Sequence, residues 1–125
     1  AQRGGSVLST IKVGDFASPL IRTGQADIGL LLWEKNLAAH RHLMRFDGNL
    51  LVNAKEKGKG VRINASALAR RLGNPVLANL VLLGRAVKEG SLFCSAADCE
   101  AAIRTLAPEK FVAQNLEAFA LGLKG

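Results

Sequence analysis

The chain has 125 residues and 13.2 kDa, the size of one compact domain rather than two. Apolar residues make up 49%, which supplies a core and excludes wholesale disorder, and the longest apolar runs, around residues 28–33 and 80–83, fall far short of a bilayer span. Seventeen Lys and Arg against ten Asp and Glu give +7, a balance that suits nucleic acid, an anionic membrane surface, or a phosphorylated or carboxylate ligand.

In chain order, AQRGGS has no apolar h-region and no initiator Met, so the expectation is a processed form or fragment of a cytoplasmic protein. Residues 6–13 alternate as a strand, Gly14-Asp15 makes a turn, and FASPLIRTG follows as an extended piece. IGLLLW, residues 28–33, reads as a strand buried on both faces of a parallel sheet. Residues 34–45 read as a helix with Trp33, Leu37, His40 and Met44 on one face, broken by Asp47-Gly48. NLLVNA is the next buried strand, KEKGKG a solvated loop and VRINA a short strand. ASALARRL forms a helix that stops at Gly73, and Asn74-Pro75 caps the next one, which is apolar on nearly every side and belongs in the middle of the domain. Ser95 and Asp98 form a capping box ahead of Cys99, Ile103 and Leu106. Pro108 opens the last helix, with Val112, Leu116, Phe119 and Leu123 as its stripe. Strand–helix alternation followed by helices predicts an α/β fold with a mainly parallel sheet in one unit, residues 1–125.

The P-loop, the dinucleotide fingerprint, C-x-x-C and H-E-x-x-H are all missing from the sequence, and no Ser–His–Asp arrangement is indicated. The residues therefore assign no reaction by themselves. Arg3 ahead of Gly4-Gly5 suits an anionic group, because paired glycines allow close backbone approach; a frayed terminus is the plain reading. Glu34 and Asn53 follow two buried strands, and ligands of open parallel sheets bind beyond strand carboxyl ends. Each could equally be a local cap. Asn79 and Asn115 read as structural amides, and His40 as a packed core or interface histidine. Cys94 and Cys99 read as reduced structural thiols, since two cysteines complete neither a zinc site nor an iron–sulfur site, and no metal is assigned. Lys55, Lys57, Lys59 and Arg62 form a solvated basic face or a landing site for a phosphate or an acidic partner.

Together the motifs AQRGGSV, SPLI-x-x-G-x-AD, Glu34 after the second of these, LLVN, LARRLGN with Asn79 and LLG behind it, and Asn115-Leu-Glu-Ala-Phe119 with Gly122 resemble the small subunit of 2-oxoacid:ferredoxin oxidoreductases. The likeness is greatest to the indolepyruvate type and runs through nearly the whole chain. The resemblance implies a three-layer α/β/α domain with a mainly parallel central sheet, called gamma in the pyruvate and ketoisovalerate enzymes and beta in the indolepyruvate enzyme. It implies an accessory subunit of a complex that oxidatively decarboxylates a 2-oxoacid with coenzyme A. Thiamine diphosphate and iron–sulfur clusters would sit in a large partner subunit, with ferredoxin as electron acceptor and no cofactor held by this chain. Family members carry a strand and a GxGGQG-type turn ahead of the RGG segment. This sequence lacks both, so the expectation is an N-terminally truncated domain that, with an apolar sheet edge and face exposed, self-associates or is marginally stable alone. On this reading no residue is catalytic, Arg3, Gly4 and Gly5 face an anion, and Glu34 and Asn53 line a substrate or coenzyme A access region.

Two other classes remain. A basic binding module for RNA or an acidic protein would use the Lys55–Arg62 loop with Arg70 and Arg71, although aromatics at 5% and no Tyr make poor stacking platforms. A self-contained enzyme with Glu34 as base lacks a second convergent group.

Overall fold

A computed structural model describes residues 22–58, 60–92 and 94–124, with the side chain of Phe46 excepted. Arg3, Gly4, Gly5, the strand expected over residues 6–13 and most of the extended piece after it lie outside the described residues. Among those described, β1 (Ala26–Leu31), β2 (Met44–Asn53) and β3 (Val61–Ile63) form a parallel sheet in the order β1-β2-β3. The α/β class with a parallel sheet is the class expected.

The central strand, not β1, carries the buried run. Leu51 and Val52 on β2 are fully buried. Leu30 on β1 is 40% exposed, and Leu32 and Trp33 leave the ladder at 51% and 55%. IGLLLW is therefore not buried on both faces: β1 stands at one end of the described sheet, whereas β2 has a strand on each side. The helix expected over 34–45 is also corrected. A 3₁₀ turn (Glu34–Asn36), the one-turn helix α1 (Leu37–His40) and a second 3₁₀ turn (Arg41–Leu43) take its place, and none of them holds a buried residue. A short helix needs a packed face to persist. Here Trp33 lies in the open under the Lys35 ammonium, 5.4 Å from the ring centroid, and Met44 opens β2 with its thioether against Gly29.

Asp47-Gly48 breaks nothing. The register runs Ala26↔Met44 and then Ile28↔Asn49, so residues 45–48 bulge out of β2. Arg45 bridges Asp27 at 2.7 Å and Asp47 at 3.2 Å across the bulge. A Cβ on Gly48 would lie 3.0 Å from the carbonyl oxygens of Ala26 and Asp27. A turn-forming dipeptide also suits a bulge, and local sequence does not separate the two. After β2, residues 54–58 and then Gly60 return the chain to β3, which runs parallel to β2. Gly60 makes this return at φ +83°, with its Cα against the Leu50 carbonyl.

The helical half follows the sequence closely. In α2 (Ala65–Arg71) the Asn64 side chain accepts the Ala67 N–H, and Gly73 ends the helix at φ +84°. Asn74 accepts the Val76 N–H ahead of a 3₁₀ turn (Pro75–Leu77) that runs into α3 (Ala78–Lys88). Ser95 and Asp98 make a complete capping box on α4 (Ala96–Leu106). Pro108 precedes a 3₁₀ turn (Glu109–Phe111) and α5 (Val112–Lys124). Two side chains depart from expectation. Leu106 is 81% exposed, α4 burying Cys99 and Ile103 instead, and Asn79 is exposed, its Oδ1 taking the Leu80 N–H.

Helix α3 is the hub. Leu82 and Ala86 pack on Leu51 of β2; Ala78 and Val81 pack on Ala65, Ala69 and Ala118. Helix α5 is tied near its start to the end of α2, by Gln114 Nε2 to the Leu72 carbonyl, and at its end to the end of α3, by Lys88 Nζ to the Lys124 carbonyl. Between these ends Gly84 and Gly122 face each other's backbone. A Cβ on Gly84 would overlap the Phe119 carbonyl oxygen, and one on Gly122 the Val81 carbonyl oxygen. The crossing is thus closed by two missing methyl groups, and the LLG and Gly122 elements of the sequence pattern meet here.

Candidate functional site at the strand carboxyl ends

The register sets Leu31 beside Val52, so the chain leaving β1 passes Asn53 at the end of β2. Asn53 Nδ2 donates to the Leu32 carbonyl at 3.0 Å and to Ser66 Oγ at 2.7 Å, and its Oδ1 accepts the Ser66 N–H at 3.1 Å. One amide therefore ties the end of β1, the end of β2 and the first turn of α2. Both Asn53 N–H bonds are spent inside the fold, and its carbonyl oxygen keeps one lone pair.

Glu34 opens the 3₁₀ turn after β1. Its carboxylate meets the Arg62 guanidinium in a direct ion pair. Arg62 sits opposite Val52 in the register, on the sheet face away from Leu51 and α3, and so crosses β2 to reach Glu34. The arginine side chain is 11% exposed and the glutamate 45%. Arg62 Nη1 also approaches the Glu56 carbonyl at 3.4 Å, which fastens the lysine-rich loop to the same clasp. The structure brings Glu34 and Asn53 to one end of the sheet, as the sequence suggested, each already engaged by a neighbour. Ser66 and Arg62 complete the group. The signal for Ser66 was available: a helix that starts at Asn64 right after β3 must place its first N–H groups at the strand ends.

Among the described residues, the rim pairs an amide with a hydroxyl and a carboxylate with a guanidinium. Among the described residues no group of three or more His, Cys, Asp or Glu is placed to hold a metal ion. His40 is half-buried with Nε2 unpartnered, a packed histidine. The basic cluster is dispersed: Arg62 turns inward to Glu34, whereas Lys55, Lys57, Arg70 and Arg71 stand in solvent. No described helix is long and apolar enough to cross a membrane.

The described residues thus form a parallel α/β sheet with a polar rim at its strand ends, in which amide, hydroxyl, carboxylate and guanidinium groups engage one another. The chain belongs to the pyruvate ferredoxin/flavodoxin oxidoreductase family, whose profile matches residues 1–125. It is 24% identical over 148 aligned residues to an indolepyruvate oxidoreductase subunit, IorB, of Archaeoglobus fulgidus, covering 98% of this chain and 74% of that protein. It is 25% identical over 152 residues to the IorB subunit of Pyrococcus horikoshii, covering 99% and 75%. The crystal structure of a keto/oxoacid ferredoxin oxidoreductase gamma subunit from Geobacter sulfurreducens superposes with a TM-score of 0.68 and 28% identity, covering 81% of this chain. This chain spans 64% of that subunit's length.

Proposed function

We propose that the chain serves as the small, accessory subunit of a 2-oxoacid:ferredoxin oxidoreductase of aryl-pyruvate type. The observation that carries this is the family match over residues 1–125, joined by two relatives that are themselves indolepyruvate oxidoreductase subunits. On this proposal the chain docks as one unit to a large subunit, where thiamine diphosphate stabilises the carbanion left by decarboxylation and iron–sulfur clusters pass electrons to ferredoxin. The two cysteines of this chain are too few for a cluster of its own. Its contribution is assembly and the lining of a substrate or coenzyme A access region. Glu34 and Asn53 support this through their place at the strand ends, and Arg3 with Gly4 and Gly5 is assigned to an anionic group. The setting is the cytoplasm.

Co-expression with the large subunit tests the proposal. The expected result is a stable co-purifying complex that reduces ferredoxin with indolepyruvate and coenzyme A. Separate elution of the two chains would overturn the docking role, and turnover of aliphatic 2-oxoacids alone would overturn the aryl-pyruvate assignment. Arg3→Ala in that complex is expected to weaken turnover; unchanged kinetics would remove the Arg3 role. Salt-sensitive retention of RNA on a filter would instead favour the basic-module reading.

A further inference from the structure

Cys94 and Cys99 occupy two related positions on α4. Ser95 is the N-cap, so Cys94 is the residue before the cap and Cys99 the fourth residue of the helix. These two positions come into contact across a capping box, where apolar side chains commonly pack as a staple. Here the staple is made of two free thiols, with Sγ to Sγ at 3.5 Å. A disulfide needs about 2.05 Å, so closure asks for a displacement of about 1.5 Å. The capping box holds the intervening backbone in a single turn, which keeps the sulfurs together without further ordering cost.

We propose that Cys94 and Cys99 form a reversible dithiol–disulfide pair, oxidised within the chain by a small disulfide. Cys94 is half-buried and Cys99 is buried, so access assigns Cys94 as the attacking sulfur. Its thiolate displaces one thiol from the oxidant and forms a mixed disulfide. Cys99 then attacks the Cys94 sulfur and releases the second thiol. Two electrons pass from the cysteines to the oxidant, and the two cysteine protons end on the two released thiols. Burial first, then the neighbouring Cys94 sulfur, pushes the Cys99 thiol up to about 11. Cys99 packs with Ile103 and Phe119, and around them lie Leu83, Val87 and Leu116. The bond would therefore tie the residue before the α4 cap to the first turn of α4, beside the apolar cluster that packs α4 on α3 and α5.

The test equilibrates the purified full chain with graded ratios of glutathione to glutathione disulfide, quenches with acid, alkylates and digests with trypsin. No Lys or Arg separates the two cysteines, so both lie in the peptide of residues 89–104. The expected result is one two-electron transition to an unalkylated peptide lighter by two hydrogens, reversed by dithiothreitol. Cys99→Ala is expected to trap glutathione on Cys94, and Cys94→Ser to leave Cys99 reduced and unmodified. Glutathione persisting on Cys94 of the unaltered chain, or disulfide-linked dimers, would overturn the proposal. So would a peptide that stays fully alkylated at the most oxidising ratio.

Discussion

The helical half and the strand-end half of the molecule are held together in opposite ways. The α3–α4–α5 region buries Phe119, Ile103, Leu82 and Val81, and it brings two helix backbones into contact through Gly84 and Gly122. The strand-end region has no buried residue between Glu34 and Leu43 and is held by polar bonds, one amide and one ion pair; the salt-bridged bulge at Arg45 lies at the opposite, amino end of β1 and β2. Close packing tolerates little change in volume, and a partly buried polar tie costs stability when one member is left unpaired. The helical half is thus built as a rigid base, and the strand ends as a polar rim whose groups are engaged with one another.

Substitution at the helix crossing is the sharpest way to break this contrast. Gly84→Ala should gain about 1 kcal/mol from helix propensity. Against that, the added methyl group must displace the Phe119 carbonyl of a packed neighbour, an overpacking cost of about 3 kcal/mol. The expected outcome is a net loss of about 2 kcal/mol in urea unfolding. Equal stability would mean that the crossing can relax and that the base is not rigid. Next in size is Asn53→Asp. This change keeps the shape but replaces two N–H donors with an acceptor facing the Leu32 carbonyl. A loss of about 1–2 kcal/mol is expected, and a change below the error of the fit would show that this amide is not a tie.

A third test uses pH and reads the helical half. The Cys99 thiol is raised from its ordinary 9.0 to about 11, by burial first and then by Cys94 and Asp98. A group held protonated in the fold lends stability that is complete below the unfolded value and lost as pH rises through the folded one. Stability should therefore fall between about pH 9 and 11, and Cys99→Ala should fall less steeply over that window. Parallel curves for the two proteins would contradict a desolvated thiol.

The same division governs what the sequence disclosed. Helix ends were legible because a cap is a local device: Asn74-Pro75, Ser95 with Asp98, and Gly73 all act within one turn of where they stand. Strand burial was not legible, because whether IGLLLW or NLLVN takes the sheet centre depends on strand order, which no window of residues contains. The helix expected over 34–45 failed for the same reason. Its apolar stripe was present, but no residue from Glu34 to Leu43 is buried. At the strand ends, Glu34 and Asn53 could be placed by rule. Their partners Arg62 and Ser66 lie 28 and 13 residues away and depend on the β2–β3 return.

The smallest expected effect lies at the bulge, and it separates register from charge. Arg45 is half-exposed, and its guanidinium is held above its ordinary value first by the Asp27 hydrogen bond, then by the charges of Asp47 and Asp27. Such a pair sits in water, where salt screens it and side-chain entropy offsets it. Arg45→Gln should leave the denaturation midpoint unchanged at physiological salt. Gly48→Val should lower it, because a side chain there meets the Ala26 and Asp27 carbonyl oxygens. If both variants lower the midpoint, the ion pairs help set the β1–β2 register. If only Gly48→Val lowers it, the register is set by backbone space.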